Sequence, residues 1–93
     1  MKIEDLLSEI SKDGKIIFEK IEEDIPEISI SIKRENSYER VLRIYPKVKT
    51  AEFLDINEEW EELIWALEVY YKEFPGLRRI TDYLNKEKYR INF

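Results

Sequence analysis

Between Pro26 and Asn36 the chain runs Ile28-Ser29-Ile30-Ser31-Ile32-Lys33, with an isoleucine at every second position, and no other stretch limits the fold as strongly. An apolar residue every second position is the signature of a strand with one buried and one exposed face, because successive side chains of a strand point to opposite sides. A helix would scatter the three isoleucines around its circumference. The register is also demanding, since a slip of one residue would turn all three into water. Pro26 ends whatever precedes it, because a proline has no amide donor and pushes the residue before it out of the helical region. Arg34-Glu35-Asn36-Ser37 supplies turn residues, so 38–45 is read as the return strand of a hairpin. Pro46 closes that strand or keeps it at an edge. Residues 48–54 form a candidate fourth strand. Residues 15–23 open on Lys15-Ile16-Ile17-Phe18 and are read as a strand from their β-branched and aromatic start.

The rest of the chain has helical spacing. Ile3, Leu6, Leu7 and Ile10 share one face of a short first helix. Asp55 with Glu58 has the spacing of a capping box, and Trp60, Leu63, Ile64, Leu67, Tyr71 and Phe74 follow as a single stripe. Pro75-Gly76 interrupts that helix, and Leu77, Ile80, Tyr83 and Leu84 mark a shorter one after it. Residues 89–93 are read as a last short strand or a docked tail. The expected fold is α+β in two layers, a three- or four-stranded antiparallel sheet with helices packed on one face, in the order α-β-β-β-(β)-α-α.

With 93 residues the chain is expected to be a single domain, 1–93, able to bury about 60–65% of its unfolded surface. It carries no cysteine and no histidine. That removes thiolate nucleophiles, disulfides, imidazole bases and the usual zinc ligand sets. The acidic runs Glu22-Glu23-Asp24 and Glu58-Glu59 with Glu61-Glu62 lack the loop spacing and turn glycine of a calcium site. No glycine-rich phosphate loop is present. The expectation is a non-enzymatic binding protein with no cofactor and no metal. No apolar run approaches the ~20 residues of a membrane helix. The first residues are charged from Lys2 onward and lack an apolar signal region, so no membrane association and a cytoplasmic location are expected. Glutamine is absent and glycine is confined to Gly14 and Gly76, while Glu, Lys and Ile are dense. Such usage suits growth at high temperature, in an archaeon or a virus of one; an AT-rich genome would enrich several of the same residues.

Charge is arranged in blocks. Residues 28–51 carry Lys33, Arg34, Arg40, Arg43, Lys47 and Lys49 against two glutamates, whereas 52–74 carry Lys72 against eight acids. If Ile28, Ile30, Ile32, Leu42 and Ile44 face the core, strict alternation sends Ser29, Ser31, Lys33, Val41, Arg43 and Tyr45 to the other face, and Lys49 and Phe53 with them. Lys33, Arg43, Tyr45, Lys49 and Phe53 are therefore the candidate residues for single-stranded nucleic acid, cations for phosphates and rings for bases. The plainer reading of the same residues is an exposed sheet face kept soluble by charge. On the long helix Trp65 and Val69 fall opposite the main stripe. They are the candidate residues of a homodimer interface, unless a second helix of the same chain covers them. The alternative function is a protein-interaction module, or a viral inhibitor, acting through acidic helices that imitate nucleic-acid charge. The Pro75-Gly76 break also admits a helix-turn-helix reading with Arg78, Arg79, Thr81 and Asn85 on the second helix, which the preceding strands argue against.

Overall fold

A computed structural model describes residues 2–54 and 60–93, with side chains described for 2–54 and 65–93. Helix α1 (Ile3–Ile10) buries Ile3, Leu6 and Leu7, and carries Glu4 and Asp5 in its first turn, where acids suit the helix dipole. Strands β1 (Ile16–Ile21), β2 (Glu27–Arg34), β3 (Ser37–Tyr45) and β4 (Thr50–Phe53) follow as an antiparallel meander. Helices α2 (Trp60–Glu73) and α3 (Pro75–Lys86) then lead to β5 (Arg90–Asn92). The chain breaks between the helices at Phe74, and Pro75 opens α3 at a position where its missing amide costs nothing.

The sheet has five strands in the order β1-β2-β3-β4-β5, and β5 pairs parallel to β4. The fold class is α+β as expected, but the sheet is larger than expected and mixed rather than antiparallel. The difference comes from the connection. After β4 the two helices carry the chain back along the sheet, so the next strand enters in the same direction as β4, which only a long crossover allows. The expected capping box at Asp55 and Glu58 lies outside the described residues.

One face of the sheet carries the core. Ile28, Ile30, Ile32, Leu42, Ile44, Ala51 and Phe53 are buried there together with Ile3 and Leu7 of α1 and Leu77, Ile80 and Leu84 of α3. The second glycine sits where α3 meets the first layer: a Cβ at Gly76 would lie 2.7 Å from Ile16 Cδ1 and 3.2 Å from Ile10 Cβ. At the rim, Arg34 donates from Nε to Glu39 Oε2 at 3.2 Å and reaches Glu73 at 3.5 Å, while its guanidinium lies over the rings of Tyr70 and Phe74. The arginine thus ties the β2–β3 hairpin to α2 by charge and by ring contact.

The pairing of β2 with β3 contains a bulge. Leu42 stands opposite Ile30 and Arg40 opposite Ser31, leaving Val41 as the extra residue. Val41 is consequently buried at 1% exposure, where strict alternation had placed it on the outer face. Before the bulge the outer positions are Tyr38 and Arg40; after it they are Arg43 and Tyr45.

Candidate functional site

The uncovered face of the sheet is where the cationic and aromatic residues were expected to gather. The structure places three of the five on that face, Lys33 at one end of β2 and Arg43 and Tyr45 at the other. Lys33 is exposed opposite Tyr38 at the hairpin end. Arg43 and Tyr45 lie on the same face but are both drawn to Glu27 of β2: Arg43 Nε is 3.9 Å from its Oε1, and the Tyr45 hydroxyl donates to the same oxygen at 3.2 Å. Burial, then the Glu27 charge, holds the Tyr45 phenol above its ordinary pKa. Arg43 also faces Glu52 across β3 and β4. The cation therefore lies at ion-pair distance from Glu27, with no hydrogen bond from its Nε, and its charge is offset on this face.

The other two lie elsewhere. Phe53 has the parity of Ala51, pairs opposite Leu42 and is 2% exposed, so it belongs to the core face and not to the open one. Its ring stacks on Phe93 with centroids 5.4 Å apart. The expectation failed because a four-residue strand alternates equally well with either face inward, and only its pairing with Leu42 and Ile44 fixes which side is buried. Lys49 occupies a left-handed turn position, φ 55°, and its ammonium turns to the end of α3. There it donates to the Glu87 carbonyl at 3.3 Å and lies 5.2 Å from the Tyr89 ring centre. A cation at the last carbonyls of a helix satisfies an orphan acceptor and complements the dipole, so Lys49 has a structural task.

Three outer-face residues escaped the sequence reading. Tyr38 is 47% exposed, and Arg40 beside it and Arg90 of β5 are exposed too. Tyr38 and Arg40 became visible only through the bulge, although the adjacent pair Val41-Leu42 in an otherwise alternating strand was a hint. The acids Glu19, Glu27 and Glu52 share this face, so its charge is mixed rather than basic. At one end, an open depression of about 850 Å³ lies between the β1–β2 loop and the β3–β4 turn, with exposed Ile25 and Val48 on its rim and Glu23, Asp24 and Glu27 in its wall.

The outer side of α2 is different in kind. Trp65 is 71% exposed and Val69 40%. No described element of the chain covers them, which removes the reading in which α2 is sandwiched between the sheet and another helix. They border a depression of about 430 Å³ whose other walls are Glu68, Tyr71, Lys72 and Arg78. Tyr71 anchors its floor, donating to Thr81 Oγ1 at 3.1 Å, with the Arg78 guanidinium 5.7 Å from its ring centre. Burial pushes the Tyr71 phenol up. On α3, Arg79 pairs with Glu9 at 3.2 Å and Thr81 bonds to Tyr71 and the Leu77 carbonyl, so that helix spends several of its polar groups within the fold.

Among the described residues no group of three or more acids is placed to hold a metal ion, and no helix is long and apolar enough to cross a membrane. No protein-family model, curated protein or solved structure matches the chain.

Proposed function

We propose that the chain is a non-enzymatic protein-interaction module whose contact surface is the outer side of α2. The observation that carries this reading is the 71% exposure of Trp65 beside Val69. A large ring left in water on a folded helix, next to a second apolar side chain and a shallow groove, is the arrangement that supplies binding energy at interfaces. The charged residues around it, Glu68, Lys72 and Arg78, form a polar rim of both signs. A photoreactive amino acid placed at Val69, with a control at Ser31 on the open sheet face, tests the reading in cells that express the chain. Protein adducts that form from position 69, disappear with Trp65→Ala and do not form from position 31 support it. Absence of adducts from position 69 sinks it.

A second reading is favoured by one observation on the sheet. Lys33 and Arg40 flank exposed Tyr38, and neither cation has an ion-pair partner among the described residues. This smaller cluster, rather than the five residues first selected, is where single-stranded nucleic acid would be held, phosphates on the cations and a base on the ring. Titration of a labelled oligonucleotide at low salt, repeated with Tyr38→Ala and Arg40→Ala, decides it. Binding that is unchanged by both substitutions, or absent at low salt, removes the reading.

A further inference from the structure

The groove beside Trp65 is bordered by an exposed ring and by side chains of both charges. On α2, Trp65, Glu68, Val69 and Lys72 share one face at helical spacing, and Arg78 of α3, its guanidinium over the Tyr71 ring, borders the same depression. Glu68 stands one turn before Lys72 on α2, and Arg78 adds a second cation to the wall of the depression. A surface with an aromatic plug at one end, a groove in the middle and a cation at the far end is complementary to itself when inverted. We infer that the partner of this face is a second copy of the same chain, docked with its α2 antiparallel across a two-fold axis near Glu68 and Val69. The inference rests on the reading of α2 as the contact surface and names its occupant.

The geometry follows from the helix itself. With a rise of about 1.5 Å per residue, an axis between Glu68 and Val69 places Trp65 level with Lys72 of the partner subunit. The indole then covers the Lys72 ammonium of the partner subunit, a cation–ring contact made twice by symmetry. Near the axis the two Val69 side chains meet and the two Glu68 side chains approach each other, each glutamate also within reach of Lys72 of the partner subunit, which offsets the like charge. The parallel arrangement would instead bring Trp65 beside its own copy and like charges together along the whole face. Two helix faces some 20 Å long bury less than the ~800 Å² per partner of a standard interface, so the pair belongs to the weak class, with a Kd of about 10–100 µM.

Sedimentation equilibrium of the purified chain, followed up to about 500 µM, tests this. The wild type is expected to dimerise, and Trp65→Ala to weaken the dimer at least tenfold, about 1.4 kcal/mol. Glu68→Lys and Lys72→Glu alter exposed side chains, and circular dichroism checks that each folds. Each alone sets like charges against each other in its own homodimer and is expected to be largely monomeric. An equimolar mixture of the two restores both cross-subunit carboxylate–ammonium pairs and keeps one of the two ring contacts to residue 72, and is expected to dimerise more tightly than either variant alone. A wild type that stays monomeric overturns the inference, as does a dimer indifferent to Trp65→Ala or a mixture that stays monomeric. Adducts from position 69 in cells, with none from the purified chain, would leave the contact surface standing and refute only the second copy as its occupant.

Discussion

Phe53 on β4 is 2% exposed and stacked on Phe93, whereas Trp65 on α2 is 71% exposed with no described element over it. The cations near each ring differ in the same way. Around β3 and β4, Arg43 is held at Glu27 and Lys49 at the end of α3, so ring and charge alike are committed to the fold. Beside Trp65, Lys72 of α2 lines an open groove, together with Arg78 of α3, whose guanidinium lies over the Tyr71 ring. Residue type alone does not mark a binding surface; what matters is whether the fold has already used the group. By that measure the open face of the sheet keeps Lys33, Arg40, Arg90 and the ring of Tyr38, whose hydroxyl already donates to the Gly14 carbonyl at 3.0 Å, while the outer side of α2 retains most of its own capacity.

The contrast breaks first at the two rings. Phe53→Ala should cost about 3–5 kcal/mol in urea denaturation, the usual cost of emptying an aromatic site in a core. A cost below about 1 kcal/mol would return Phe53 to the surface. At the Glu27 cluster, Glu27→Ala should cost about 1–2 kcal/mol, because the Tyr45 hydroxyl loses its acceptor and Arg43 its counter-charge. The same cluster has a pH signature. Tyr45, Tyr71, Tyr83 and Tyr89 are all held above the ordinary phenol value, chiefly by burial. A phenol whose folded pKa is raised contributes stability that is complete below the unfolded value near 10 and is lost as pH rises through the folded one. Stability should therefore fall only above about pH 10, with tyrosinate absorbance appearing late. Glu27→Gln, which removes a neighbouring negative charge, should bring the Tyr45 ionisation down; an unchanged titration would show that the Glu27 contact is not formed.

Lys49→Met keeps the Cβ and removes only the charge at the end of α3. It should cost about 0.5 kcal/mol and the loss should shrink in high salt. The smallest effect on stability should be that of Trp65→Ala, within about 0.5 kcal/mol when measured on dilute, monomeric protein. A large loss there would place Trp65 in the core and remove the contrast.

Much of the fold was legible. The isoleucine alternation at 28–32 settled β2 and its core face, the turn residues after Lys33 settled the hairpin, and Pro75-Gly76 marked the break between the helices. What was not legible has physical causes. A bulge changes strand parity by one residue without changing composition, so Tyr38 and Arg40 were missed and Val41 was put on the wrong face. Phe53 followed, since nothing in a four-residue strand says which side is inward until its partner is known. The three residues of β5 are too few to show a period, and their parallel pairing depends on where two helices deliver the chain. Trp65 and Val69 were singled out correctly as off the stripe, because a long helix has enough turns for a misplaced residue to stand out.

The most direct measurement uses Trp65 as its own reporter. In a Trp60→Phe background it is the only tryptophan of the chain. At high dilution its fluorescence should be that of an indole in water and open to acrylamide quenching. As concentration rises through the micromolar range, emission should move to the blue and quenching should fall as the second copy covers the ring. Emission that is already blue and protected at high dilution, or that stays exposed at every concentration, would contradict the account.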